Sequence, residues 1–126
     1  MVNFQLVDRD MAQFSVSPSR TAQLTSDVDK LIVHLRLAQD YGSDSPHILM
    51  LINDLVCTYE DLFEEFEADL SEQGARQLGM IRSLHEAFLR DLVEFAEMIR
   101  CDNGEFPNGF FSFVEMGPYT RPSIAA

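Results

Sequence analysis

The sequence predicts a single, mainly α-helical domain: an up-down bundle of three helices, with a small β appendage formed by the N- and C-terminal segments. Apolar residues recur at intervals of three and four over residues 18–41, 46–73 and 75–101, the spacing of helices that bury one face. Turn and capping residues separate these stretches. A chain of 126 residues, of which 46% are hydrophobic, is long enough for one such core, so we expect one domain over residues 1–126.

The N-terminal segment, residues 1–17, alternates apolar with polar side chains in two short runs. A period of two is typical of half-buried strands and predicts a β-hairpin. Ser17 and Pro18 follow; serine is a preferred helix cap, and proline is favoured in the first helical turn. The first helix is therefore predicted over residues 18–41, ending before Gly42.

The central helix, predicted over residues 46–73, has the widest apolar surface. Asp44 and Pro46 repeat the cap-then-proline signal at its start. Two neighbouring rows of apolar residues indicate a helix that packs on two sides. The first row is Ile48, Ile52, Leu55, Tyr59, Leu62 and Phe66, and the second is Leu49, Val56, Phe63 and Leu70. Two interpretations stay open for the part of the second row that the neighbouring helices leave uncovered: it contributes to a homodimer, which is the prediction, or the N-terminal β segment covers it.

The third helix, predicted over residues 75–101, folds back on the central one at Gly74. One turn centre there brings the apolar rows of both helices to matching heights, whereas a single continuous helix would lose the register. The pairs expected to meet are Ile48 and Ile99, Ile52 and Phe95, Leu55 and Leu92, Tyr59 and Phe88, Leu62 and His85, and Phe66 and Ile81.

The C-terminal segment, residues 102–120, is rich in glycine and proline around a short aromatic run. This run, Phe110–Met116, is predicted to be a strand that pairs with the N-terminal strands; residues 121–126 are expected to form a loose tail. Two interpretations of the aromatic side chains stay open. Either they close the end of the bundle, or they form an exposed apolar patch for a partner or a second copy. The side chains concerned are Phe110, Phe111 and Phe113.

The charge distribution is the most distinctive feature of the sequence. The formal net charge is −12, which argues against direct binding to nucleic acid or an anionic membrane and permits a basic protein partner. Residues 37–75 contain ten acidic side chains and no lysine or arginine. This acid face either binds a basic partner or only keeps the protein soluble. The candidate partner-binding residues are Glu60, Asp61, Glu64, Glu65 and Glu67.

The residues that could carry other chemistry do not form a known motif. His85 lies in the apolar row of the third helix, which predicts a core histidine bonded to a neighbour, with a ligand or pH-switch role as the alternative. No metal-binding or catalytic signature occurs, so we expect no metal, cofactor or catalytic residue. Cys57 and Cys101 differ by about 15 Å in height along the hairpin, too far for a disulfide, and two free thiols suit the cytoplasm. We find neither a signal peptide nor a transmembrane stretch.

These observations favour a non-catalytic, acidic protein-binding protein. The first hypothesis is an inhibitor or antagonist that covers a basic, nucleic-acid-binding surface of a partner protein. The alternative is a homodimeric adaptor or secretion-type chaperone that binds through apolar helix faces. A small enzyme or metal carrier is a weaker alternative.

Overall fold

The computed structural model describes residues 17–42 and 44–119, and it confirms that the chain is mainly helical. Three long helices and one short helix follow each other along this part of the chain. They are α1 (Ser17–Tyr41), α2 (Ser45–Glu72), α3 (Leu78–Cys101) and α4 (Phe110–Met116). The β-hairpin predicted for residues 1–17 lies outside the described residues except for Ser17, as does the tail predicted for residues 121–126. Among the described helices, none is both long and apolar enough to cross a membrane.

The ends of α2 follow the local signals in the sequence. Asp44 has an extended backbone, and its side chain accepts a hydrogen bond from the backbone N–H of His47 at 3.4 Å, which caps the helix. Beyond Glu72, the N–H of Ala75 bonds to the carbonyl of Leu70 at 3.0 Å. Gly74 has a φ of +66°, the left-handed conformation that closes a helix C-terminus and lets the chain reverse.

The helix α2 packs on α1 and on α3, so it is the central element of the bundle. The rings of Tyr59 and Phe88 lie 4.8 Å apart between centroids, as expected for an antiparallel α2–α3 hairpin. One expected pair differs, because the ring of His85 stacks on Phe63 rather than on Leu62. The two helices are therefore aligned as predicted at Tyr59 and Phe88. Opposite His85, the contacting residue of α2 is one position later than predicted.

The segment Phe110–Met116 is a helix, which corrects the predicted strand. A run that is apolar on both faces fits either structure, and the described residues contain no strand with which it could pair. As a helix, the segment satisfies its own backbone: the N–H of Phe113 bonds to the carbonyl of Gly109 at 2.9 Å. The side chains of Phe110, Phe111 and Val114 are buried, as helical spacing allows.

The short helix α4 connects the outer helices of the bundle. Phe113 stacks on Phe88 of α3, with centroids 4.6 Å apart and planes 12° apart. On the other side, the guanidinium of Arg36 in α1 pairs with Glu115 at 2.8 Å and lies 4.4 Å from the ring centroid of Phe111. The aromatic segment thus completes one common core, whose largest fully buried side chains include Leu35, Ile52, Leu55, Phe88, Leu92, Ile99 and Phe110.

Candidate protein-binding surface

The acid face predicted on α2 consists of two groups of carboxylates. Glu60, Asp61 and Glu64 are exposed, and Glu65 is partly buried. Across residues 17–42 and 44–119, none of these four side chains forms an ion pair. They lie within two turns of one helix, so their charges reinforce one another in the solvent beside α2.

These carboxylates point to different sides of α2. Glu60 and Glu64 border a shallow groove between α2 and α3, whose opposite wall includes Arg82 and Glu86. Asp61 and Glu65 each follow one residue later, which places them about 100° further around the helix. The structure therefore divides the predicted site into a part beside α3 and a part that faces away from it.

Glu67, the fifth predicted residue, has internal partners. One carboxylate oxygen accepts a hydrogen bond from Nε of Arg82 at 3.3 Å, and the other lies 2.5 Å from Nδ1 of His85. Its side chain is only 22% exposed. Glu67 follows Phe63 by four residues, so both side chains lie on the same face of α2 and contact α3 together. This carboxylate joins α2 to α3 and is less available to a partner than the other four.

His85 is 1% exposed and both of its ring nitrogens have partners. Because a carboxylate only accepts hydrogen bonds, Nδ1 carries the proton that is donated to Glu67, and in the neutral ring Nε2 accepts from the hydroxyl of Tyr119 at 2.5 Å. The ring also stacks on Phe63, with centroids 3.8 Å apart. His85 is thus a core histidine bonded to its neighbours.

The tyrosines near this histidine have shifted pKa values. Burial, with a contribution from the nearby charge of Asp29, raises the pKa of Tyr59 to about 12. Burial and the charge of Glu67 raise the pKa of Tyr119 to about 12 as well. Both hydroxyls therefore stay protonated at neutral pH, and the hydroxyl of Tyr119 can act as the donor that His85 requires.

Apolar side chains are also exposed on the surface of the bundle. Val33, Leu37 and Tyr41 are exposed and follow each other at intervals of four, so they form one stripe on α1. The second apolar row of α2, by contrast, is largely covered: Phe63 is buried, and Val56 packs against the core. The most regular exposed apolar stripe is therefore on α1, and the homodimer predicted through the second row of α2 stays a prediction.

The described residues contain no cluster of three or more side chains that could hold a metal ion. Cys57 and Cys101 are free and exposed. The chain has no significant match among models of protein families, curated proteins or solved structures. Its function is therefore inferred from its own residues and their geometry.

Proposed function

We propose that this protein is a non-catalytic inhibitor or antagonist that covers a basic, nucleic-acid-binding surface of a partner protein. The supporting observation is the set of four carboxylates on α2, Glu60, Asp61, Glu64 and Glu65, that have no ion-pair partner in the described part of the chain. Like charges four residues apart destabilise a helix by a few tenths of a kcal/mol per pair. Binding a cationic surface would offset this cost.

The mechanism we propose is electrostatic mimicry of a nucleic acid. Closely spaced carboxylates on a protein with a net charge of −12 attract lysine and arginine side chains that otherwise bind phosphates. This attraction increases the association rate, and it weakens steeply with salt because exposed charges are screened over about 8–10 Å. The interaction needs neither a cofactor nor a catalytic residue.

The test uses an arginine-rich DNA-binding peptide bound to a labelled duplex. The wild-type protein should displace the duplex from the peptide, and displacement should weaken as salt increases. Reversal of the four carboxylates to lysine (Glu60→Lys, Asp61→Lys, Glu64→Lys and Glu65→Lys) should abolish displacement. Glu67 is left unchanged because its substitution would disturb the contact between α2 and α3.

A control with the same charge change identifies the surface responsible. Four exposed acids away from the middle of α2 are reversed together: Asp40, Glu72, Asp102 and Glu105. This variant has the same net charge as the first, but it keeps the four carboxylates in the middle of α2 and should retain most of the displacement. Equal loss in both variants would show that only net charge matters and would overturn the assignment to α2.

A second candidate function is a homodimeric adaptor or chaperone that binds through an apolar helix face. The observation that favours it is the exposed stripe formed by Val33, Leu37 and Tyr41 on α1. Sedimentation equilibrium at high salt would test this candidate, since apolar association persists when charges are screened. A dimer that dissociates in Leu37→Gln would support it, and a monomer at every concentration would exclude self-association.

A further inference from the structure

A small groove between α3 and α4 has an apolar floor and an acidic rim. Phe95 and Met98 of α3 and Phe113 of α4 form the floor, while Asp91 and Glu94 of α3 lie at the edge. This surface is separate from the acid face of α2: it belongs to other helices and contains none of the carboxylates discussed above.

The floor combines fixed and adaptable side chains. Phe113 packs against Phe88 on one side and Phe95 on the other, with centroid distances of 4.6 and 5.1 Å, so the core holds its ring in place. Met98 is half exposed, although it lies beside these partly buried rings. A methionine side chain is flexible and polarizable, so it can adjust to ligands of different shape. The groove therefore combines an aromatic surface that the core holds in place with one methionine side chain that can change its conformation.

The size and charge of the groove limit what it can bind. Its volume is about 260 Å³, below the range of about 300–1,000 Å³ that is usual for drug-sized ligands. It can accept one large apolar side chain. Asp91 already pairs with the neighbouring Arg90 at 3.8 Å, whereas Glu94 is exposed beside the opening. A cation next to the apolar side chain would therefore meet Glu94 first.

We propose that this groove binds a protein segment in which one large apolar side chain is flanked by lysine or arginine. The apolar side chain would pack on Phe95, Met98 and Phe113, and an adjacent cation would pair with Glu94. Burial of the apolar side chain provides affinity, while the acidic rim selects basic segments over acidic ones. The inference goes beyond the proposed function and does not depend on the acid face of α2.

The test is a titration of protein labelled with ¹³C at its methionine methyl groups. The probe is the pentapeptide Lys-Lys-Phe-Lys-Lys, followed by nuclear magnetic resonance. The methyl signal of Met98 should shift in a saturable manner, while Met50 and Met80, which are equally accessible on other surfaces, should not. Lys-Lys-Ser-Lys-Lys, which lacks the apolar anchor, and Glu-Glu-Phe-Glu-Glu, which lacks the cations, should leave Met98 unchanged.

Two charge reversals on α3 complete the experiment. Glu94→Lys should weaken binding of the pentapeptide at least about fivefold, because it replaces an attraction at the rim with a repulsion. Glu86→Lys changes the net charge equally but lies beside the groove between α2 and α3, so binding should be nearly unchanged. Equal effects of the two variants, equal shifts of all exposed methionines, or no saturable shift of Met98 would each overturn the proposal.

Discussion

The imidazole of His85 lies parallel to the phenyl ring of Phe63, with centroids 3.8 Å apart and planes 6° apart. The same imidazole bonds to Glu67 on one side and to Tyr119 on the other. It therefore joins α2, α3 and the residues that follow α4 through one side chain. Burial of such a polar group lowers the stability of the fold little when all of its hydrogen bonds are made, and much when one of them is lost.

Removal of the imidazole should destabilise the protein strongly. In His85→Ala, Glu67 and the hydroxyl of Tyr119 lose a partner and Phe63 loses its stacking surface, so the free energy of unfolding should fall by about 2 kcal/mol or more. Tyr119→Phe removes only the hydrogen bond to Nε2 of His85. Because the ring of Tyr119 is half exposed, the free energy of unfolding should fall by about 1 kcal/mol or less. Urea unfolding measures both. As a control, His47→Ala at an exposed site should be close to neutral; a similar result for His85→Ala would refute the structural role.

The raised pKa of the buried Tyr59 predicts a loss of stability in alkali. The pKa of Tyr59 is about 12 in the folded protein, against 10.0 for the unperturbed group. Because the pKa of Tyr59 is higher in the folded than in the unfolded protein, the folded state favours the protonated hydroxyl. The stability that this preference contributes is fully present below about pH 10 and is lost as the pH rises from about 10 to about 12. Chemical unfolding across this pH range should show the decrease, and Tyr59→Phe should reduce its slope. Ultraviolet titration in which Tyr59 and Tyr119 ionise with midpoints near pH 10, as unperturbed tyrosines do, would contradict the prediction.

Local signals explain why much of the fold was predictable. The start of α2 at Asp44 and the reversal at Gly74 depend on neighbouring residues alone, so capping and turn chemistry located both. The β appendage was not predicted correctly at its C-terminal part, because Phe110–Met116 is apolar on both faces and its pattern does not distinguish a strand from a short buried helix.

The site was less predictable because its contacts are distant in sequence. Glu67 was placed with the free acids of α2, but it faces His85, from which it is separated by 18 positions in the chain. Its spacing of four from Phe63 was the available signal, since it places both side chains on one face. Tyr119 lies 34 positions from His85, and no periodic pattern connects them. Such pairs become visible only when the packing of α3 and α4 is known.

Two glycines should respond in opposite ways to the same substitution. Gly74 has a φ of +66° in the turn between α2 and α3, so Gly74→Ala should destabilise the protein by about 1 kcal/mol through backbone strain. Gly79 lies in the first turn of α3 without a positive φ, and a Cβ there meets no atom within 4 Å. Gly79→Ala should therefore stabilise by up to about 1 kcal/mol. Thermal unfolding of both variants measures the difference, and the same sign for both would contradict the turn at Gly74.

The acids of α2 should separate into two classes by their effect on stability. Glu64→Lys removes the repulsion between Glu60 and Glu64, so the free energy of unfolding should rise by a few tenths of a kcal/mol. Glu67→Gln should instead lower it by about 1 kcal/mol or more, because the charge-assisted bonds to Arg82 and His85 are lost. The duplex-displacement assay should rank the two variants in the opposite order. Glu64→Lys should weaken displacement. Glu67→Gln should largely retain it at temperatures where the protein stays folded. Glu64→Lys that loses stability but keeps full displacement would make this carboxylate structural and would remove it from the proposed binding surface.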